Sequence, residues 1–252
     1  MSTILITGAS SGLGAEMARQ LAAKGHDLAP CARRTERLDE LAAEICGAHP
    51  KRTVAVRALD VTDDDAVFGV FGEFRAELGR LDKVVINAGL GKGARLGTGG
   101  YAANRETAMT NFVAALAQTE AAMEIFRDQS AGHLVMISSM AAMRGMPNEI
   151  ATYAATKAGV AHLVEGLRTE LYGTPLGKTV KVTVLYPGYI ISEMNDYAKP
   201  TSPLMATTQD GVKAMVRAIE KQVADACVPP LPWAPLSLLM KHAPLPVLKR
   251  LI

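Results

Sequence analysis

Short runs of apolar, mostly β-branched residues recur along the chain, and between them apolar positions return every three or four residues. The first run, Thr3 to Thr7, closes on glycines and precedes a segment with Met17, Ala18, Leu21 and Ala22 at helical spacing, stopped at Gly25. Asp27 to Ala32 predicts a second strand, followed by a helix with Leu38, Leu41 and Ile45 on one face. Pro30 stands inside that strand; a proline removes a ladder hydrogen bond, so a bulge or an irregular pairing is expected there. Thr53 to Leu59 predicts a third strand, and Thr62 with Asp65 three residues on reads as a capping box for a helix carrying Val67, Val70, Phe71, Phe74 and Leu78. Val84 to Asn87 and His133 to Ile137 predict the fourth and fifth strands, separated by a Gly-rich stretch to Gly100 and a long helix from Ala102 to Phe126. Tyr153 to Tyr172 predicts a helix with Val160, Val164, Leu167 and Leu171 on one face; Val180 to Tyr186 is a sixth strand and Thr208 to Val223 a last clear helix. Strands alternating with helices mean successive βα units, so the fold class is α/β: a doubly wound parallel sheet of about seven strands, helices on both faces, in a single domain.

Composition narrows the chemistry. Of 252 residues, 49% are apolar and 21% charged, enough for a sizeable core and too apolar for disorder. Lys plus Arg is 27 against 25 Asp plus Glu, a net +2 that offers no electrostatic footprint for nucleic acid and leaves small-molecule chemistry as the expectation. Cys31, Cys46 and Cys227 are odd in number and unclustered, which argues against a disulfide framework or a zinc knuckle, for no metal site, and for a reducing, cytoplasmic setting. The opening MSTILITGASSG has no basic segment before its short apolar run, so no secretory leader is expected, and no apolar stretch is long enough to cross a bilayer. Residues 1–228 read as the folded domain. The tail 229–252 differs in kind: it holds six of the 13 prolines and the only tryptophan, and its charges, Lys241, Lys249 and Arg250, are all positive. An amphipathic segment lying on anionic lipid is one reading of it. Packing on its own domain or against another subunit is the preferred one.

Thr7 to Gly14 reads TGASSGLG, directly after the first strand and opening the first helix. A turn this tight lets the backbone approach a ligand closely, and the free N–H groups and dipole of the helix N-terminus attract a pyrophosphate; Gly8, Ser10, Ser11, Gly12, Leu13 and Gly14 are the candidate residues. Gly8, Ser10 and Gly12 also match G-x-S-x-G, the nucleophile elbow of hydrolases. Against that, the motif lies at the very start of the chain, and only His162 and His242 follow the middle of the sequence. At the end of the second strand, a carboxylate would hold the ribose 2′-OH of NAD and an arginine the 2′-phosphate of NADP. The chain has Arg33 and Arg34 there and no carboxylate between Leu28 and Thr35, which points to NADP(H). Tyr153 and Lys157, in YAATK, stand four apart on one helix face. Upstream, Ser138 and Ser139 end the fifth strand, at the strand ends where ligands of parallel sheets sit.

Taken in order, TGASSGLG, the Asn87-Ala88-Gly89 triplet, Asn111, the serine pair, YAATK and YPGYIISEM resemble the short-chain dehydrogenase/reductase family, over residues 2 to 228. The resemblance implies a Rossmann-like fold and an NADP(H)-dependent oxidoreductase that moves a hydride between nicotinamide and a carbonyl or secondary alcohol. It implies that Tyr153 is the general acid and base, its pKa lowered by the Lys157 ammonium, and that Lys157 also binds the nicotinamide ribose. Ser139 would hydrogen-bond the substrate oxygen, and Asn111 would hold a water linking Lys157 to solvent. Asp60 and Val61 would meet the adenine, Asn87, Ala88 and Gly89 the adenosine ribose side, and Pro187, Gly188, Ile190 and Ser192 the nicotinamide carboxamide. One departure is that both serines lie further from the tyrosine than the family's usual spacing; Ser139 is preferred over Ser138 because the small pair Ala141-Ala142 follows it. The segment 189–207 would fold over the substrate, and Met194, Tyr197, Leu204 and Met205 favour an apolar ketone, lipid-like or 3-oxoacyl carbonyl. A homodimer or homotetramer built around the Asn111 and Tyr153 helices is implied as well. The alternatives are a hydrolase acting through Ser10 and a non-catalytic NADP-binding protein.

Overall fold

Alternate residues of each central strand point to opposite faces of the sheet, and both faces lead into apolar packing, which is why these strands read as continuous apolar runs. In the computed structural model, whose described residues are 1–195 and 204–251, the chain runs β1 (Thr3–Thr7), α1 (Gly12–Ala23), β2 (Asp27–Ala32), α2 (Thr35–Ala48), β3 (Arg57–Ala58), α3 (Asp64–Leu78) and β4 (Lys83–Ile86). It continues through α4 (Tyr101–Ala108), a π-helical turn (Met109–Val113), α5 (Ala114–Gln129), β5 (Gly132–Ile137), α6 (Ala151–Leu171), α7 (Pro175–Thr179) and β6 (Val180–Pro187). The last elements are α8 (Thr208–Glu220), β7 (Asp225–Val228), α9 (Pro230–His242) and α10 (Leu245–Leu251). The strands form one sheet in the order β3-β2-β1-β4-β5-β6-β7, every pair parallel. Ile4, Ile6, Val85, Val135 and Ile137 pack on one face with Met17, Leu21, Val212, Met215 and Ile219 of α1 and α8. Leu5, Val84, Ile86, Leu134 and Met136 pack on the other with Phe71, Phe74, Phe126, Val160 and Val164 of α3, α5 and α6. Each such side chain contributes about 1.5–3 kcal/mol on burial. The order reverses between β1 and β4, which opens a crevice beyond the strand C-termini.

Several local expectations are corrected. β2 is regular through Pro30, but the third strand is cut to two residues, with an isolated bridge at Leu28 and Val54. Leu28 and Ala32 bond toward β3, so Pro30, between them, faces it too, and the ladder lapses where the proline has no N–H to give. The irregular pairing therefore falls on the neighbour. The capping box of Thr62 and Asp65 does not form. Asp63 caps α3 by accepting from the Ala66 N–H at 3.1 Å, while Thr62 is drawn into a turn on Asp60, which accepts from its N–H (3.0 Å) and hydroxyl (2.8 Å). The long helix carries a π-helical turn at Met109–Val113 that no proline or glycine announces, and the last clear helix ends at Glu220, followed by Gln222 at φ 50°.

The tail folds back onto the body. Trp233 is buried, edge-on to Tyr189 at 5.3 Å, and fills the space beside Gly188, where a Cβ would lie 2.0 Å from the indole. Arg144 donates to the Lys241 carbonyl at 2.8 Å. Among the described residues no helix is long and apolar enough to cross a membrane.

Candidate active site

The crevice is a continuous cleft of about 720 Å³. Each strand end supplies part of its wall: Gly8, Ser10, Ser11, Gly12 and Leu13 after β1, Arg33 and Arg34 after β2, Asp60 and Val61 after β3, and Asn87, Ala88 and Gly89 after β4. Ser138 and Ser139 follow β5, and Pro187, Gly188, Ile190 and Ser192 close the β6 side. Tyr153 and Lys157 enter from the first turns of α6. Four described residues expected at the cleft do not line it: Gly14, Asn111, Leu204 and Met205. Gly14 lies beneath the turn, where a Cβ would come within 2.4 Å of the Gly8 carbonyl, so its smallness serves the close approach of α1 to β1. Asn111 is buried behind the wall: its Oδ1 accepts from the Leu90 N–H at 2.7 Å and its Nδ2 donates to the Leu90 carbonyl at 2.9 Å. Tyr197 lies outside the described residues.

The turn is braced from β4. Thr7 Oγ1 accepts from the backbone N–H groups of Asn87 (3.1 Å) and Ala88 (3.2 Å), and Asn87 Nδ2 donates to the Thr7 carbonyl at 2.9 Å. Thr7 is not legible from the sequence as a bracing residue, because its partners lie 80 and 81 residues away. Ser11, the N-cap of α1, spends no side-chain hydrogen bond on the helix, and the first turn of α1 has no acidic residue. The helix N-terminus is thus positive and open to an anion. At the far edge the two arginines differ. Arg33 makes no hydrogen bond among the described residues, although its charge reaches Asp60, whose carboxyl is held below its usual range first by the Thr62 N–H. Arg34 donates to Ser10 Oγ (3.2 Å), Ser11 Oγ (2.7 Å) and both oxygens of Glu193. A mostly apolar cleft with an anion-ready helix end and two exposed guanidiniums fits a phosphorylated dinucleotide.

At the other end, the serines separate cleanly. Ser138 is buried and its hydroxyl donates to the Lys157 carbonyl at 2.7 Å. Ser139 accepts from the Ala141 N–H at 3.1 Å and lines the same end of the cleft as Tyr153. Lys157 is buried, its Nζ donates to the Ile137 carbonyl at 2.9 Å and lies 5.9 Å from the Tyr153 ring centre, and burial pulls its pKa down to about 8. Against the expected lowering, burial pushes the Tyr153 hydroxyl above its ordinary value, with the neighbouring Ser139 hydroxyl acting the other way. The Lys157 ammonium is committed to the Ile137 carbonyl.

None of the five histidines lines the cleft, and His162 binds the Ala158 carbonyl of its own helix, so Ser10 has no histidine base there. No group of metal-ligating side chains occurs among the described residues.

Comparison with known proteins agrees with this architecture. The family model "short chain dehydrogenase" matches residues 2–203. The chain is 53% identical over 237 residues to an uncharacterized oxidoreductase of Mycobacterium tuberculosis strain H37Rv, covering 94% of this chain and 92% of that one. Among solved structures it resembles a short-chain dehydrogenase from Sphingobium yanoikuyae in complex with NADPH, with TM-score 0.83 and 27% identity over 99% of this chain and 96% of that one. It also resembles an alcohol dehydrogenase from Thermococcus sibiricus complexed with 5-hydroxy-NADP, with TM-score 0.78 and 26% identity over 90% and 95% of the two chains.

Proposed function

The chain belongs to the short-chain dehydrogenase family and is an oxidoreductase, and from that premise we propose that it reduces an apolar carbonyl with NADPH. The observation that carries this is that one cleft holds Tyr153, Ser139 and Lys157 at one end and the glycine turn with Arg33 and Arg34 at the other. NADPH, when bound, would supply the hydride. Gly8 to Leu13 would hold its pyrophosphate at the start of α1, and Arg33 with Arg34 its 2′-phosphate. The Tyr153 hydroxyl gives its proton to the substrate oxygen; its raised pKa keeps it protonated at neutral pH, the form that reduction requires. Ser139, beside Tyr153 in the cleft, orients that oxygen, and Lys157 adds a positive charge at the same end of the cleft as negative charge develops. Asn111 acts by fixing the Gly89–Leu90 wall beside Lys157.

Met194, half-exposed at the cleft, favours an apolar substrate of ketone, lipid-like or 3-oxoacyl type. Phe112, Val113 and Leu116 leave an apolar strip exposed beside the π-helical turn, which a second copy of the chain would cover in a homodimer or tetramer.

The deciding experiment is NADPH oxidation against a panel of apolar ketones, aldehydes and 3-oxoacyl thioesters, with NADH in parallel. Turnover with NADPH well above that with NADH is expected. Equal rates with the two would refute the role given to the arginines. Ester hydrolysis abolished by Ser10→Ala would replace the whole reading.

A further inference from the structure

Three consecutive residues after β6 cross the mouth of the cleft. Ser192 reaches the glycine turn, its Cβ 3.6 Å from where a Cβ on Gly12 would stand. Met194 reaches the opposite wall, with its Cγ 2.9 Å from the Cβ position of Gly91. Between them, Glu193 places its carboxylate on the arginines: Arg34 Nη1 and Nη2 donate to its two oxygens at 3.2 and 2.9 Å, and Arg37 Nη1 donates at 2.7 Å. Arg34 Nη2 also donates to Ser11 Oγ at 2.7 Å, and the contacts around the carboxylate, Arg34 foremost, hold its pKa far below the usual carboxylate range. Two guanidinium groups, one in a two-pronged contact, are the donor set that a phosphate would take. None of the pairing depends on a ligand, and Glu193 lies 159 residues from Arg34 in sequence.

We propose that Glu193 is an internal anion that occupies the phosphate-recognising arginines of the free protein, and that the 2′-phosphate of the dinucleotide must displace it from Arg34. The proposal rests on the reading of the cleft as an NADPH site and adds to it a residue that sets cofactor discrimination. A dinucleotide without the 2′-phosphate has no group that contests the pair, so it binds with Glu193 in place. A 2′-phosphate, carrying up to two negative charges, contests it directly, and the displaced carboxylate carries Ser192 and Met194 with it. Glu193 therefore weakens NADPH binding and leaves NADH binding alone, while tying phosphate recognition to the segment beside Tyr189.

The test is equilibrium titration of the full chain with NADPH and with NADH, followed by nucleotide fluorescence, for the unaltered protein, Glu193→Gln and Glu193→Ala. Thermal unfolding run in parallel confirms that the exposed substitution leaves the fold intact. The expected result is that both variants bind NADPH about threefold to tenfold more tightly, the scale of two exposed ion pairs, with NADH unchanged. Adenosine 2′-monophosphate should show the same gain, and adenosine 5′-monophosphate none. NADPH affinity that is unchanged or weakened in the variants, or a gain shared equally by NADH, overturns the proposal while leaving the cofactor reading intact. If neither dinucleotide binds the unaltered protein, the cofactor reading fails and the proposal falls with it.

Discussion

Two lysines are buried at opposite ends of the parallel sheet, and their partners differ in kind. Lys83, at the start of β4, has a carboxylate: its Nζ is 2.6 Å from Glu220, which also meets His26 Nε2 at 3.1 Å. Burial pushes the Glu220 carboxyl up, but the Lys83 hydrogen bond and charge, with His26, outweigh it and leave the group below its ordinary value. Lys157, at the other end, donates to the Ile137 carbonyl and to no other group among the described residues, and burial draws its pKa down to about 8. The lower lysine is closed into a structural pair, whereas the upper one makes no ion pair among the described residues. An uncompensated buried cation costs stability, and a protein retains one where a ligand or a developing negative charge will meet it.

The largest test of this contrast is Tyr153→Phe, which should lower carbonyl reduction by about 10²–10⁴-fold with little change in melting temperature, because the lost group acts only on the substrate. Turnover kept within a few-fold of the unaltered enzyme would remove the upper end from the chemistry. Next in size, Glu220→Gln strands the Lys83 charge and should cost about 2–3 kcal/mol of stability by urea unfolding, somewhat less than for a fully enclosed pair because Glu220 is partly exposed. Lys83→Met should cost much less, and neither should alter kcat/KM. A fall in kcat/KM would break the division between the two ends.

The smallest effects are in pH, and they separate the ends by direction. His133 is buried, its Nε2 2.8 Å from Thr183 Oγ1, and burial first, then Lys83, lowers its pKa from 6.5 to about 4; His26 is lowered too, by burial. The unfolded chain therefore binds protons that the folded one refuses. Stability is full above pH 6.5 and is lost as pH falls toward about 4. Urea midpoints measured from pH 7.5 to 4 should fall, and His133→Gln should flatten the slope. At the upper end, NADPH affinity should weaken as pH rises through about 8, where Lys157 loses its proton. A flat affinity across that range would deny Lys157 a charged contact with the nucleotide.

Much of the fold was legible because the signals are local. The strand ends of β1, β2, β5 and β6 fall within a residue of where the apolar runs stop, since apolar residues must leave the sheet where it meets solvent. The third strand failed for a non-local reason: Pro30 disturbs the pairing of a strand more than twenty residues on. The cap of α3 failed between adjacent polar residues, Thr62 and Asp63, because Asp60 claims the first. The candidate site divides the same way. The glycine turn, Tyr153 and Lys157 announce themselves by spacing within one turn or one helix. The grip of Glu193 on Arg34 and Arg37, the hold of Asn111 on Leu90 and the commitment of Ser138 to the Lys157 carbonyl involve residues far apart in the chain.

By itself, the order of apolar runs, helical periods and glycines determined a parallel doubly wound sheet and which residues reach its C-terminal edge. These are consequences of period and conformational freedom, properties that each short segment carries alone. Only the tertiary structure decided the electrostatics: that Arg34 is engaged by Glu193, that burial makes Tyr153 less acidic, and that, among the described residues, one buried lysine has a counter-ion and the other does not. Charge energies depend on distance and on exclusion of water, and both exist only once remote segments have packed together.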